Sequence, residues 1–465
     1  MLAISVSSHK NDLYANIHKF LTLRLMKLFI ETYGCQMNVS DSEVVLTILK
    51  RNGYTLCESL SQADVILVNT CSVRDNAEQR ILGRLDVFRL ERKKRGGVIV
   101  GVLGCMAQRM KEELLKHPVV DIVAGPDSYR NLPSMIDNAA RYGKQMDTTL
   151  SRVETYADIL PTRMDRGGVS AYISIMRGCN NVCSYCIVPF TRGPERSRDP
   201  KSILEEAEAL IKEGYREISL LGQNVDSYRW TDPEDSGVTV DFADLLEKVA
   251  RLDSGIRVRF STSHPKDMSD KVLHTMARYD NICKHIHLPV QSGSSVLLDK
   301  MNRKYTREHY LERIGKIREI LPDCAITTDV IAGFCSETDE DHALTLSLFR
   351  EVRFDGAFMF QYSNRPGTRA SRHFADDVPP GTKTARLNEI IALQNAISLE
   401  RNQECIGKIF EVLVEGRSKR SDKELVGRTS QNKTCVFPDT GLKPGDYATV
   451  LVESCSSATL LCKVL

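Results

Sequence analysis

The stretch that decides the fold reads Arg177-Gly178-Cys179-Asn180-Asn181-Val182-Cys183-Ser184-Tyr185-Cys186, a C-x3-C-x2-C spacing. It directly follows the apolar run Ala171–Met176, which we expect to be a β-strand. A loop at the end of a strand can fold three thiolates around one face of a metal cluster. Ferredoxin clusters and structural zinc sites normally close with four ligands, so three cysteines leave one iron of a cubane open. The spacing therefore predicts an iron–sulfur cluster whose open iron chelates amino and carboxylate groups; the alternative is a zinc loop completed by a distant histidine.

Outward from this loop, short apolar runs alternate with helical patterns from Val169 to about Asn402. Repeated βα units of this kind curl into a barrel or part of one, with the active site at the carboxyl ends of the strands. The six predicted strands are Ala171–Met176, Glu217–Leu221, Arg257–Ser261, His285–Val290, Ala325–Ile331 and Gly356–Tyr362.

The segment from Lys27 to Gly143 shows the same alternation and carries three single cysteines. Cys35, Cys71 and Cys105 each follow an apolar run, at successive gaps of 36 and 34 residues. In a parallel sheet every βα unit returns the chain to the same edge, so three thiols meet at one rim. The pattern predicts a second three-cysteine cluster site there; the alternative is three buried cysteines used as small apolar residues.

After Asn402 the helical patterns end and five short strand-like runs with polar turns remain. They predict a small closed β-barrel of about 60 residues. The runs are Ile409–Val414, Glu424–Arg428, Thr434–Phe437, Ala448–Glu453 and Thr459–Val464.

Length and charge set the frame for these motifs. The 465 residues suffice for about three domains, and a net charge of +2 means that any nucleic-acid contact depends on local clusters. No apolar run approaches the roughly 18 residues of a membrane span, and residues 1–26 lack the features of a signal peptide. Six of the fourteen cysteines are spaced like metal ligands in a reducing compartment, and the other eight show no ligand spacing. We predict a cytoplasmic protein with no membrane contact and an N-terminal extension over residues 1–26.

Together these motifs resemble one family, the methylthiotransferases of the radical S-adenosylmethionine superfamily, from Lys27 onward. The resemblance implies an α/β protein with two [4Fe–4S] clusters and S-adenosylmethionine as cofactors. An N-terminal doubly wound parallel-sheet domain with the auxiliary cluster (27–143) would be followed by a linker (144–168). A central partial (β/α)6 barrel (169–401) would come next. The chain would end in an OB-like barrel, the RNA-binding TRAM domain (402–465). One S-adenosylmethionine would donate the methyl group, and another would provide the 5′-deoxyadenosyl radical.

The resemblance also implies which residues bind the cofactors. The cluster ligands would be Cys35, Cys71 and Cys105 in the first domain, and Cys179, Cys183 and Cys186 in the barrel. Tyr185 occupies the aromatic position that contacts adenine. Strand ends that hold the methionine, ribose and adenine of S-adenosylmethionine supply the other candidates, which are Gly222, Gln223, Ser261, Ser263 and Ile331.

Three branches of the family act on isopentenyladenosine in tRNA, on threonylcarbamoyladenosine in tRNA, or on a ribosomal protein. The sequence motifs of this chain resemble those of the isopentenyladenosine branch at four segments: Tyr33–Asn38, Asn69–Arg74, Asn76–Gln79 and Pro189–Arg198. It departs from the family at Cys335-Ser336, where Pro-Gly is usual, and at Arg177, where an acidic residue is common. The implied partners are the anticodon stem-loop of isopentenylated tRNA, a reductant such as flavodoxin or ferredoxin, and a candidate sulfur donor.

Three basic clusters are candidates for phosphate contacts, because Lys and Arg bind phosphate without reading sequence. The first comprises Arg89, Arg92, Lys93, Lys94 and Arg95, the second Arg192, Arg196 and Arg198, and the third Arg417, Lys419, Arg420 and Lys423. The nearest alternative function is the threonylcarbamoyladenosine branch. A two-cluster electron carrier would need four ligands per cluster, and an RNA-binding scaffold would not need all six cysteines.

Overall fold

The computed structural model describes residues 26–71, 75–165 and 167–465, with the backbone alone over 75–79. Two predicted features therefore lie outside the described residues. They are the N-terminal extension, apart from Met26, and residues Ser72–Arg74 of the branch-specific motif at Asn69–Arg74. The chain divides into two compact units, one reaching Leu150 and including 159–162, the other comprising 151–158 and 163–465. The domain boundaries predicted at 143, 168 and 401 stay predictions.

The first unit is built on a six-stranded parallel sheet in the order β2-β1-β3-β4-β5-β6. Its strands are β1 Met26–Tyr33, β2 Tyr54–Leu56, β3 Val65–Thr70, β4 Ile99–Gly104, β5 Ile122–Ala124 and β6 Gln145–Asp147. The helices between them are α1 Gln36–Arg51, α2 Asp75–Arg95, α3 Cys105–Met110, α4 Glu112–Lys116 and α5 Leu132–Tyr142. β3 and β4 are buried along their whole length, as expected for strands covered by helices on both faces. The doubly wound sheet is confirmed.

The strand register brings the three predicted cysteine positions to one rim. Tyr33 of β1 pairs with Thr70 of β3, and Thr70 pairs with Gly104 of β4, so these residues form one row. Cys35, Cys71 and Cys105 follow this row by two, one and one residues. The order of strands reverses at β1 and β3, the topological switch point where ligands bind in open α/β sheets.

The second unit contains a partial barrel of two three-stranded parallel sheets, β13-β10-β7 and β14-β15-β16. The barrel strands are β7 Ser170–Ser174, β10 Glu217–Leu221, β13 Arg257–Ser261, β14 His285–His287, β15 Ala325–Ala332 and β16 Gly356–Gln361. Shorter pairs are β8 Met176–Arg177 with β9 Arg196–Ser197, and β11 Arg229–Thr231 with β12 Thr239–Asp241. All six predicted barrel strands are confirmed.

Helices of this unit lie between the strands and precede the last barrel. They are α6 Val188–Arg192, α7 Pro200–Lys212, α8 Phe242–Ala250, α9 Asp270–Arg278, α10 Ser295–Lys300, α11 Arg307–Ile320, α12 Asp339–Val352, α13 Arg369–His373 and α14 Pro380–Gln403. Side-chain alternation decides which face of each strand they cover. Ala171, Ile218 and Val258 form one buried apolar row across β7, β10 and β13. The next row is Tyr172, Ser219 and Arg259, so the inner face of the barrel is polar.

The chain ends in a closed five-stranded barrel in the order β17-β18-β19-β21-β20, as predicted. Its strands are β17 Ile409–Ser418, β18 Ser421–Thr429, β19 Thr434–Pro438, β20 Tyr447–Cys455 and β21 Leu460–Val464. It packs on the amino-terminal end of β13, where Arg257 donates to Glu411 O (2.9 Å) and Arg259 donates to Thr429 O (2.8 Å). The small barrel therefore lies at the opposite end of the strands from the cysteine loop after β8. Deleting it would leave two buried guanidinium groups without these partners.

Candidate iron–sulfur and cofactor sites

The cysteine loop of the barrel unit lies between the two strands of a short hairpin. β8 and β9 pair antiparallel, with Met176 opposite Ser197, so residues 178–195 form the connection. Gly178 has a φ of +75°, and a Cβ there would overlap the backbone carbonyl of Pro194. Its missing side chain lets the loop close, because the Cys179 amide then donates to Gly193 O (3.2 Å).

The three thiols of this loop are largely shielded from solvent. Cys179 and Cys183 are buried and Cys186 is half-buried. Burial raises the pKa of the Cys179 thiol to about 11. The pKa of Cys186 is raised to about 12, mainly by burial and to a smaller extent by the negative charge of a deprotonated Cys183. Such thiols keep their protons near neutral pH unless a metal ion replaces the proton, and a coordinating thiol is fully deprotonated. Three free thiols within one short loop are nevertheless a donor set that fits an iron–sulfur cluster, since binding the metal would release their protons.

The three thiols do not converge on a position for a single metal ion. Among the described residues, no three His, Cys, Asp or Glu side chains converge closely enough to hold one metal ion. A cubane does not require such convergence, because each iron takes one thiolate.

The structure brings two of the predicted S-adenosylmethionine contacts into one apolar cluster. Tyr185 and Ile331 both pack against the apolar cluster that contains Phe334, and the rings of Tyr185 and Phe334 meet edge to face with centroids 6.5 Å apart. Tyr185 lies in the cysteine loop itself and is only half-buried, so its ring is available to an adenine.

The other four predicted contacts lie at the carboxyl ends of β10 and β13. The Gly222 amide donates to Ser261 O (3.0 Å), Gln223 follows Gly222, and the Ser263 amide donates to His287 O (3.1 Å). Within the described part of the chain, Gln223 Oε1 and Thr262 Oγ1 are buried without a hydrogen-bond partner. Unsatisfied buried polar atoms are costly, so a polar ligand here would satisfy them. The residues fit S-adenosylmethionine, although each individual contact stays a prediction.

The two positions at which this sequence departs from the family motifs, Cys335-Ser336 and Arg177, have local structural consequences. Ser336 has a φ of +63°, a conformation that favours glycine, and its amide and hydroxyl both donate to Asp377. Arg177 is buried with its guanidinium over the ring of Tyr156, 4.9 Å from the centroid. Both substitutions are thus accommodated by side-chain partners.

In the first unit, the rim after β1, β3 and β4 is built for close packing. Gly34 has a φ of +137° and a Cβ there would lie 2.5 Å from Cys71 Cβ; Gly104 has a φ of +85° and a Cβ there would overlap the Asn69 side chain. Asn69 is fully buried and holds α1 by donating to Asn38 O (2.9 Å) and Ser42 Oγ (3.0 Å). Cys35 is exposed at the start of α1, whereas Cys71 and Cys105 are buried. A helix amino terminus favours a thiolate, which suits a metal ligand at Cys35.

The three basic clusters differ sharply in exposure. Arg192, Arg196 and Arg198 are buried, and Arg198 pairs with the buried Glu206, so this prediction of a phosphate-binding surface is wrong. At the end of α2, Arg92 pairs with Asp121 and Arg95 with Asp64. Both carboxylates precede strands, which places that cluster at the rim opposite the cysteines.

The third basic cluster lies on the β17–β18 hairpin. Arg417, Lys419, Arg420 and Lys423 are exposed. Arg417 pairs with Asp439 (3.0 Å), and no ion pair in the described residues uses the other three. β18 has nine residues at about 3.3 Å each, so the hairpin tip lies roughly 25 Å along the strand from the Thr429 contact.

Sequence reasoning missed Arg303, which contacts the cysteine loop, and Asp226, which lies beside Ser263. Burial raises the pKa of Asp226 to about 7, and its Oδ2 accepts a hydrogen bond from the His264 amide (3.0 Å). Neither residue belongs to a spaced motif. Only their place in loops that follow barrel strands or helices could have indicated them.

Comparison with known families covers most of the chain. Residues 27–125 match the uncharacterized protein family UPF0004, residues 173–349 match the radical SAM superfamily, and residues 403–465 match the TRAM domain.

Curated relatives match nearly end to end. A tRNA-2-methylthio-N(6)-dimethylallyladenosine synthase from Bacteroides thetaiotaomicron is 56% identical over 434 residues, which cover 93% of this chain and 95% of the relative. One of the same name from Porphyromonas gingivalis is 54% identical over 442 residues, covering 94% and 95%. Among solved structures, the radical S-adenosylmethionine methyltransferase TsrM from Kitasatospora setae, with cobalamin and a [4Fe–4S] cluster bound, aligns with a TM-score of 0.55 and 13% identity, covering 82% of this chain and 76% of that one.

A partial (β/α)6 barrel with a C-x3-C-x2-C loop at its carboxyl rim defines a radical S-adenosylmethionine enzyme. The relatives narrow this class, and the chain belongs to the radical S-adenosylmethionine methylthiotransferase family. The enzyme class and the cofactors predicted from the sequence, two [4Fe–4S] clusters and S-adenosylmethionine, are confirmed. In the described residues, no helix is both long and apolar enough to cross a membrane.

Proposed function

We propose that this protein converts isopentenyladenosine, next to the anticodon of tRNA, into its 2-methylthio derivative. The proposal is supported by six cysteines in two groups of three, each of which follows the carboxyl ends of strands in its own unit. Relatives at 54–56% identity carry a name that specifies this modified adenosine. The C2–H bond of the adenine would be replaced by a C–S bond. One S-adenosylmethionine would supply the methyl group. A second, cleaved after taking one electron from an external donor, would carry the hydrogen atom away as 5′-deoxyadenosine and leave methionine.

The cysteines divide the work in this proposal. Cys179, Cys183 and Cys186 hold the cluster that reduces S-adenosylmethionine, and Cys35, Cys71 and Cys105 hold the cluster that carries sulfur. Tyr185 and Ile331 support the adenine of S-adenosylmethionine, while Gln223, with its buried unpartnered oxygen, binds a polar group of the same molecule. A reductant such as flavodoxin or ferredoxin, a sulfur donor and a cytoplasmic location remain predictions.

The substrate assignment predicts a strong preference for prenylated tRNA. Burying five prenyl carbons at about 0.8 kcal/mol each contributes roughly 4 kcal/mol, or up to about a thousandfold in kcat/KM. Mass spectrometry of nucleosides from one tRNA, with and without the prenyl group, measures this preference. The same tRNA carrying threonylcarbamoyladenosine is the second comparison. Equal methylthiolation of the unmodified tRNA, or a preference for the threonylcarbamoyl form, would contradict the assignment.

We also propose that the exposed β17–β18 hairpin binds the tRNA backbone. Lys419→Glu with Arg420→Glu is expected to weaken tRNA binding about tenfold at moderate salt and to flatten its salt dependence, because fewer counterions are released. Binding isotherms at several salt concentrations measure both effects. Lys93→Glu with Lys94→Glu on α2 is the matched control, since that cluster lies at the rim opposite the cysteines. An unchanged affinity in the hairpin variant, or an equal loss in the control, would argue against this surface. These substitutions test the barrel better than its deletion, which would remove the hydrogen bonds that Arg257 and Arg259 donate to barrel carbonyl groups.

A further inference from the structure

Arg303 is buried behind the cysteine loop, in the turn that follows α10. Its Nη1 lies 3.4 Å from Cys183 Sγ and 3.5 Å from the Tyr185 hydroxyl. The rest of the guanidinium is held in place, because Nη2 donates to Pro289 O (2.8 Å) and Nε donates to the Tyr305 hydroxyl (3.1 Å). One nitrogen is therefore fixed at a predicted cluster ligand.

No carboxylate neutralises this guanidinium. Its hydrogen-bond partners are a thiol, two phenols and a backbone carbonyl, and no Asp or Glu of the described residues lies within ion-pair distance. Two other buried arginines of this unit do pair with carboxylates: Arg198 with Glu206, and Arg259 with Glu217 at 2.6 Å. A buried cation without an anion is strongly unfavourable. The group beside this guanidinium that becomes negative on binding a metal is the thiol of Cys183, whose sulfur lies 3.4 Å from Nη1.

We propose that Arg303 is a positioning residue that supplies the positive charge for the thiolate of Cys183 and thereby raises the reduction potential of the cluster. This inference rests on the proposed assignment of Cys179, Cys183 and Cys186 as cluster ligands. Reduction brings in one electron from an external one-electron donor and adds one negative charge without a proton. A fixed cation and an N–H···S hydrogen bond at a ligand sulfur stabilise that reduced form.

The geometry also explains why this residue is an arginine. The planar guanidinium offers five N–H donors in a fixed fork, so two nitrogens can hold the backbone and Tyr305 while Nη1 faces sulfur. A lysine ammonium would keep the charge but could not make all of these contacts from one position.

The test is an EPR-monitored redox titration of the full-length protein, reconstituted with iron and sulfide. The signal of this cluster is identified by its change on addition of S-adenosylmethionine. In Arg303→Gln, the ratio of reduced to oxidised cluster at a fixed potential should fall about tenfold, a midpoint lower by about 59 mV for one electron. Arg303→Lys should keep most of the wild-type ratio. Arg307→Gln is the matched control, because Arg307 also binds backbone carbonyls but contacts Glu351 instead of a cysteine. Its ratio should not change.

Each outcome decides the matter. Loss of the cluster in Arg303→Gln with retention in Arg303→Lys would support the charge role, since only the neutral variant lacks the cation. A wild-type midpoint in iron-loaded Arg303→Gln would overturn the inference and leave the proposed function intact. Equal loss of iron in both Arg303 variants, with Arg307→Gln loaded, would overturn it too, because the residue would then be only structural. Wild-type protein without iron at this loop would overturn the proposed cluster assignment itself.

Discussion

Cys183→Ala is expected to abolish the reductive cleavage of S-adenosylmethionine. Cys183 is the central ligand of the C-x3-C-x2-C loop, and its sulfur is the one that Arg303 contacts at 3.4 Å. With two thiolates left, the barrel unit cannot hold a cubane in which three irons are each capped by cysteine. The iron content should fall from about eight per chain to about four. Anaerobic incubation with dithionite should yield no 5′-deoxyadenosine above background.

A matched control separates loss of the cluster from loss of the fold. Cys283→Ala removes a thiol that is at least as buried as Cys183. Cys283 lies near the amino-terminal end of β13, where its amide donates to Val258 O (2.9 Å), and it belongs to no metal-ligand motif. It should cost about 1 kcal/mol of unfolding free energy and leave both iron and 5′-deoxyadenosine formation at wild-type levels. Normal cleavage in Cys183→Ala, with intact tRNA binding, would show that this loop does not hold the radical-forming cluster.

Where strands are long and regular, periodicity was enough to predict the fold. β13 alternates Arg, Val, Arg, Phe and Ser, and this pattern marks one face toward helices and one toward a polar interior. β6 was not predicted, because Gln145–Asp147 contains one apolar residue and carries no periodic signal. β6 falls in the predicted linker and pairs with β5 only through its backbone register. Its side chains do not predict that pairing.

Candidate ligands were predictable because chemistry restricts both their residue type and their spacing. Charge clusters were not, because the sequence does not show whether a cation faces solvent. Arg196 and Arg198 read as a basic patch, yet they are buried, and Arg198 is neutralised by Glu206, eight residues away on α7. For Arg303 the sequence gives no signal of a functional role. A lone arginine has no spacing signature, and its role depends on a sulfur 120 residues earlier in the chain.

Cys71→Ala is expected to separate radical formation from product formation. The alanine keeps the Cβ that packs against Gly34, so the rim of the first unit should hold its shape while one ligand is lost. The barrel cluster has its ligands in the other unit, and 5′-deoxyadenosine should still form with dithionite. Iron should again fall to about half. The methylthiolated nucleoside should disappear, because no cluster remains to carry the sulfur.

The contrast with Cys183→Ala makes this the sharper test of the first unit. Both variants should contain about four irons, yet only Cys71→Ala should cleave S-adenosylmethionine, so the two products must be measured in the same reactions. Cys57→Ala is the control within the same unit, since Cys57 is half-buried at the far end of the sheet, where its amide donates to Leu28 O (2.9 Å). It should retain both products. If Cys71→Ala makes the methylthio nucleoside at the wild-type rate, the sulfur does not come from the rim of β1, β3 and β4. The three cysteines there would then be only small buried residues at strand ends.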